Sequence, residues 1–197
     1  MSRDDETLSV YAARADDYLK MVEKEAESPI LAAFIGGLPK GAHVLDLGCG
    51  PGVSAAVMAQ SGLTVEATDA VPEMVERAAA NPGVMARLAT FDDITGTDLY
   101  DGIWANFSLL HAPKADMPGH LARLRAALKP GGLFHIGMKT GSGEHRDSIG
   151  RFYAYYTEEE LCDLLTAAGF KPFSSTRGNE PGLSGEPAPW VCIAAHG

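Results

Sequence analysis

The chain has 197 residues, 46% of them apolar, and a formal net charge of -10. That length and apolar share suit one domain with a sizeable core. The acidic balance repels polyanions and argues against a nucleic-acid partner, and no apolar run is long enough to span a bilayer. The first residues, Met1 to Thr7, are charged and carry no apolar secretory run. Three cysteines, Cys49, Cys162 and Cys192, show neither C-x-x-C nor zinc spacing, so a reducing, cytoplasmic setting is expected. The six histidines are scattered without H-E-x-x-H, and no metal site is assigned.

In chain order, Thr7 to about Glu27 reads as an amphipathic helix with Tyr11 and Tyr18 on one face. A short helix from Pro29 to Ile35 precedes the first strand, 42–47. An alternation follows: helix 52–61, strand 63–68, helix 72–80, strand 84–90, strand 100–106 and a helix around 117–128. Leu121, Leu124 and Leu128 form the buried stripe of that last helix, and Lys129-Pro130-Gly131-Gly132 stops it. Strand 132–139 comes next, then a helix opened by the capping-box pattern at Thr157 to Glu160. Two strands, 171–177 and 189–195, close the chain as an antiparallel pair across a Gly- and Pro-rich loop. This pattern predicts a three-layer α/β/α sandwich. The whole chain, 1–197, reads as a single domain, with residues 1–37 a helical lid and 38–197 an α/β core.

The densest signal is Val44-Leu45-Asp46-Leu47-Gly48-Cys49-Gly50-Pro51-Gly52, an apolar strand running into a glycine turn ahead of a small-residue helix. Glycine lets the backbone turn sharply and approach a ligand closely, as in nucleotide-type cofactor loops at strand ends. A dinucleotide G-x-G-x-x-G pattern would put a third glycine where Val53 stands, which disfavours a nicotinamide enzyme. About twenty residues on, the second strand ends in Asp69. Its carboxylate can accept from ribose hydroxyls or cap the helix that begins at Pro72, and the two roles are compatible.

The string D-x-G-x-G-P-G resembles motif I of the class I S-adenosylmethionine (SAM)-dependent methyltransferases. Tyr100-Asp101-Gly102-Ile103-Trp104-Ala105-Asn106 is similar to their fourth-strand motif, and Leu128-Lys129-Pro130-Gly131-Gly132 to their post-helix turn. Ser108-Leu109-Leu110-His111 and Gly150-Arg151-Phe152-Tyr153 resemble small bacterial methyltransferases related to the tellurite-resistance group. The resemblance covers about Tyr11 to Phe170. It implies a Rossmann-like, seven-stranded, mostly parallel sheet with an antiparallel last strand, and SAM as cofactor. Carried over, Asp46, Gly48, Cys49 and Gly50 would hold the methionine part of SAM, Asp69 and Ala70 its ribose side, and Phe91 and Asp92 its adenine, with Asn106 facing the cofactor. Asp92 and its neighbour Asp93 read equally well as exposed loop carboxylates. Trp104, inside a strand, reads as core.

Methyl transfer from a sulfonium mainly needs placement and exclusion of water. Within the resemblance, His111 lies where substrate would sit, as a general base or an orienting hydrogen-bond partner, or as a histidine bonded to backbone. Tyr11 is the other catalytic candidate, from the lid, while Tyr18 reads as packing. The long loop after strand 132–139 reads as flexible. It carries Lys139, Arg146 and Arg151, which suit an anionic acceptor such as a carboxylate if they are not merely solvated. After the fourth strand stands Asn106-Phe107-Ser108-Leu109 rather than Asn/Asp-Pro-Pro-aromatic, against nucleic-acid amino methylation. No acidic cluster surrounds Asn106, against metal-dependent catechol chemistry. The expectation is methyl transfer to a small molecule by a monomer or homodimer. The alternative is a SAM-binding sensor or interaction module without turnover.

Overall fold

A computed structural model describes residues 4–197; Met1, Ser2 and Arg3, the start of the charged N-terminus and of the expected lid, lie outside the described residues. The elements are α1 (Asp5–Ala13), α2 (Ala15–Val22), α3 (Pro29–Gly36), β1 (His43–Leu47), α4 (Val53–Gln60), β2 (Thr64–Asp69), α5 (Pro72–Ala79), β3 (Val84–Leu88), β4 (Tyr100–Asn106), α6 (Met117–Ala127), β5 (Leu128–Lys139), β6 (Glu144–Arg146), β7 (Phe152–Ala154), α7 (Glu158–Ala167), β8 (Lys171–Pro181) and β9 (Pro187–His196). Short 3-10 turns cover Glu23–Glu27, Phe91–Asp93 and Leu109–His111.

Seven strands form one sheet in the order β3-β2-β1-β4-β5-β9-β8. The strands from β3 to β5 pair in parallel, and β9 inserts antiparallel between β5 and β8. This is the mostly parallel sheet with a reversed last strand that the sequence led us to expect.

The period-2 alternation of a strand sorts its side chains onto the two faces. Val44 of β1 and Trp104 of β4 pack with Phe34, Ala55 and Met58 on the face covered by α3 and α4. Leu45, Leu47, Ile103 and Ala105 pack with Leu121 and Leu161 on the face covered by α6 and α7. Asp46 therefore points to the same face as Val44, toward α4, although it is a carboxyl only 3% exposed.

Two segments differ from the sequence reading. The expected long N-terminal helix is broken at Arg14, whose backbone leaves the helical region (φ -118°, ψ 25°). The break lets α1 and α2 pack around Val71 and Met74 of α5 and its N-terminus, with the Tyr11 and Tyr18 rings edge to face at 5.0 Å. The loop after β5, expected to be flexible, holds the β6–β7 hairpin. Its turn is closed by Asp147, whose Oδ1 accepts the backbone N–H of Ile149 (3.2 Å) and of Arg151 (2.9 Å), and by Gly150 at φ +94°. Smaller differences occur at element ends. Leu128 is the first residue of β5 rather than the end of α6, and β8 and β9 run longer than expected.

Leu121 of α6 is fully buried whereas Leu88, on edge strand β3, is 59% exposed. Leu121→Ala should destabilise the protein by about 2–5 kcal/mol, and Leu88→Ala by no more than about 0.5 kcal/mol. Urea unfolding of both variants measures the difference; equal losses would mean that the α6 face is not the core.

Candidate functional site

The carboxyl ends of β1, β2 and β4 open into a cleft roofed by α1 and α2. The loop after β1 is fixed to β2 by two bonds, since the N–H groups of Gly48 and Cys49 both donate to the Thr68 carbonyl (2.7 and 2.9 Å). Gly48 and Gly50 adopt φ of +69° and +53°, a region that costs an L side chain energy. A Cβ on Gly48 would stand 2.3 Å from Ser108 Cβ, and one on Gly50 2.9 Å from the Tyr18 ring. The loop is thus closed to side chains from both sides. Phe107 follows β4 at φ +54°, a strained position for a bulky residue, and the turn it makes brings Ser108 against Gly48.

Asp69 serves the loop and α5 together. Its Oδ2 accepts from Gly50 N–H (2.8 Å) and its Oδ1 from Val71 N–H (2.9 Å), beside the start of α5. Burial raises its pKa, and the hydrogen bonds from Val71, Gly50 and Ala70 oppose that rise. With three backbone donors on its about four acceptor sites, the carboxylate keeps one lone pair for a ligand.

Three connected spaces lie here. A narrow cavity of about 80 Å³ is bordered by Gly48, Gly50, Asp69, Ala70, Phe91 and Ser108. A smaller one, about 20 Å³, is bordered by Asp46, Cys49, Ser54, Asn106 and Glu25. The largest, about 500 Å³, has walls of Tyr11, Tyr18, Phe107, Tyr153 and Trp190, with Lys139 on its lining. Asp46 Oδ2 and Ser108 Oγ are buried beside these spaces without a hydrogen-bond partner among the described residues. Unsatisfied buried polar atoms are costly, so both point to a ligand that completes them.

The other sequence candidates divide. Asn106 accepts from His135 Nε2 (3.0 Å) and borders the smallest and the largest of these spaces, of 20 and 500 Å³. Asp92 turns away from the cleft and receives Arg123 Nη2 at 2.6 Å, while Asp93 caps its own turn by accepting from Thr90 N–H (2.7 Å). Cys49 donates weakly to the Gly50 carbonyl (3.4 Å), and burial pushes its thiol up. Trp104 is buried as expected, its ring stacked on His135 at 3.7 Å. Tyr18, expected to be packing, packs on Tyr11 and also borders all three spaces.

The three loop cations separate as well. Lys139 has its Nζ 3.9 Å from the centre of the Tyr153 ring, and burial lowers its pKa. Arg146 borders none of the three spaces; it clamps Asp4, the N-cap of α1, at 2.7 and 3.0 Å. Arg151 borders the largest space but is only 2% exposed, and Asp147 takes its Nε and Nη2 (3.0 and 2.7 Å).

Arg151 also begins a chain of bonds that runs to the lid. Its Nη1 donates to the Tyr11 hydroxyl (2.9 Å), which lies 3.0 Å from His111 Nε2. His111 Nδ1 lies 2.6 Å from the Phe152 carbonyl, an acceptor only, so Nδ1 carries the proton and Nε2 accepts from Tyr11. Desolvation lowers the His111 pKa to about 4, with the Arg151 and Lys139 charges adding to the effect and the Phe152 bond opposing it. Thr7 Oγ1 adds a second tie by accepting Phe152 N–H (2.8 Å). His111 and Tyr11 thus meet as expected, in a clasp that fastens α1 to the β6–β7 hairpin. Sequence reasoning missed Glu25, Ser108 and Trp190. Ser108 lay within the quoted Ser-Leu-Leu-His element, whereas nothing in the sequence marked the other two.

A family model described as a methyltransferase domain matches residues 18–175. The trans-aconitate 2-methyltransferase of Deinococcus radiodurans is 29% identical over 147 residues, which cover 73% of this chain and 53% of that protein. The crystal structure of the Burkholderia thailandensis 1,6-didemethyltoxoflavin-N1-methyltransferase, with bound 1,6-didemethyltoxoflavin and S-adenosylhomocysteine, superposes with a TM-score of 0.79 at 27% identity, covering 96% of this chain and 86% of that one. A TehB-like SAM-dependent methyltransferase from Corynebacterium glutamicum shares the fold, with a TM-score of 0.68, 17% identity and coverage of 93% of this chain and 97% of that one. The chain spans about half the length of the curated relatives it matches.

Burial gives the site a pH signature. His135 is held neutral down to about pH 3 by desolvation, against an ordinary value of 6.5. Between those values the unfolded chain binds a proton that the native ring refuses. Wild-type stability relative to His135→Gln should therefore be full above pH 6.5 and fall toward pH 3, by up to about 1.4 kcal/mol per pH unit. Urea unfolding of both proteins at pH 7.5, 5.5 and 4.5 reads this; a difference independent of pH would contradict it.

Proposed function

Because the chain belongs to the class I SAM-dependent methyltransferases, whose domain model matches residues 18–175, we propose that it transfers the methyl group of SAM to a small-molecule acceptor. The observation that carries this reading is the glycine cradle with two buried polar atoms beside it, Asp46 Oδ2 and Ser108 Oγ, that lack partners among the described residues. SAM supplies a methyl group already activated on a sulfonium. The residues' task is then to bind, align and keep water out.

In this reading Asp69, Ala70 and Phe91 take the nucleoside in the narrow cavity, Asp69 through the acceptor site its backbone bonds leave open. Asp46, Gly48, Cys49, Gly50 and Asn106 take the methionine part. The acceptor occupies the 500 Å³ space, where aromatic walls suit a flat molecule; of its cations Lys24 is paired with Glu180 and Arg151 with Asp147, which leaves Lys139. Lys139 has no carboxylate within ion-pair distance among the described residues, which favours an anionic acceptor. Arg151 orders the clasp, and Arg146 holds the N-cap of α1 from outside.

His111 with its lowered pKa and its Nε2 engaged by Tyr11 is a poor proton acceptor. We read the pair as positioning residues that hold the lid closed. The acceptor is then one that needs no strong base, such as a carboxylate. A cytoplasmic monomer or homodimer, with residues 1–37 as lid to one catalytic domain, fits this reading. Among the described residues no helix is long and apolar enough to cross a membrane.

Titration calorimetry should show S-adenosylhomocysteine binding to the wild type and NADH not binding. Asp69→Ala should weaken S-adenosylhomocysteine at least tenfold, since hydrogen bonds to a charged acceptor contribute about 1.5–3 kcal/mol each. Gly50→Val should abolish binding. Unchanged affinity in both variants would overturn the assignment.

A further inference from the structure

Glu25 lies on the 3-10 turn that follows α2, in the lid, yet its side chain reaches inward and borders both the 20 Å³ space and the 500 Å³ space. Across the smaller space stands Asp46, 3% exposed, with Oδ2 lacking a partner. The remaining bonds are few: Asn106 and Ser54 bond the Glu25 carboxyl, and the Ala55 backbone bonds Asp46. Among the described residues no lysine or arginine borders this space. Lys24, next in the chain, turns outward to Glu180 at 2.8 Å. Tyr18 of α2 and Cys192 of β9, both neutral at ordinary pH, face Glu25 most directly; across the 500 Å³ space stand Tyr11, Tyr153, Lys139 and Arg151, the last paired with Asp147.

Two carboxyl groups converging in a desolvated space repel each other, and only a shared proton or a cation relieves them. The space is sized for one small group, since a water needs about 10–15 Å³ of such volume. It adjoins Gly48 and Cys49 of the cofactor loop. We propose that Glu25 and Asp46 form a two-carboxylate seat for a primary ammonium group, the amino end of the methionine part of SAM, so that the lid itself recognises the cofactor. The inference rests on the cleft taking SAM. An ammonium brings three N–H donors and a full charge, which matches Asp46 Oδ2 and the Glu25 carboxylate together. Without that cation, burial raises the Glu25 pKa to about 7 and that of Asp46 well above its ordinary value. Seating an ammonium there therefore expels protons held by the pair.

The test uses two probes, S-adenosylhomocysteine and its analogue with hydrogen in place of the α-amino group, titrated calorimetrically at pH 6.5 in two buffers of different ionisation enthalpy. The wild type should bind the analogue at least thirtyfold more weakly and should release protons only with S-adenosylhomocysteine. Glu25→Gln should bind S-adenosylhomocysteine about tenfold more weakly and pay at least a fivefold smaller penalty for loss of the amino group. Equal weakening of both probes by Glu25→Gln would mean a merely structural role and overturn the proposal. If that variant does not fold, the wild-type pair decides: equal affinities for the two probes, or no proton release, overturn it. A wild type that binds neither probe removes the SAM reading itself, an outcome distinct from binding both probes equally.

Discussion

The arrangement of the site follows from one topological constraint, the reversal of strand order at β1. From β1 the chain builds outward to β2 and β3 on one side, and then returns to lay β4 and β5 on the other. The connections that leave β1 and β4 therefore diverge, and a crevice opens at their carboxyl ends. Hydrogen bonds from its backbone N–H groups hold its floor in place: Gly48 and Cys49 donate to the Thr68 carbonyl, and Gly50 to the Asp69 carboxylate. Pre-organisation of this kind lowers the ordering cost of binding.

Closure over the crevice relies on a different kind of contact. The outer ties of the lid, such as Arg146 with Asp4, are partly exposed to water and contribute little to stability. The inner tie runs through Arg151, Asp147, Tyr11 and His111, where the side chains of Arg151 and Asp147 are almost wholly buried. Burying this ion pair has a large desolvation cost, which the five named bonds around it offset in part. What such a network supplies is geometry: α1 has one seat on the β6–β7 hairpin, and Tyr11 and Tyr18 have one position above the cleft. Water exclusion, the main requirement of methyl transfer from a sulfonium, follows from that single seat.

Much of this was legible in the sequence because it rests on local rules. Glycines at positive φ, a carboxylate at the end of β2 and the β/α alternation all leave marks within a few residues. The capping box at Thr157 and Glu160 is present as read, with both reciprocal bonds formed. Other features depend on distant partners. Arg14 breaks the N-terminal helix because α5 and its own N-terminus give α1 and α2 a surface to fold around. Arg151 looked like a free cation until the turn at Asp147 brought a carboxylate to it. Asp92, which suits adenine or a plain exposed loop carboxylate by its position after β3, meets Arg123 on α6, a partner distant in the chain. Glu25 and Trp190 come from opposite ends of the chain and meet only across the finished cleft, so no spacing rule could mark them.

The most direct test of the account is a crystal structure of this chain with S-adenosylhomocysteine. The account predicts the ribose hydroxyls on Asp69, the adenine beside Phe91 and the homocysteine running past Gly48 toward Asp46. It also predicts the clasp of Arg151, Tyr11 and His111 closed above. Density for the nucleoside outside the crevice between β1 and β4, or a bound ligand with the lid held away from it, would contradict the account.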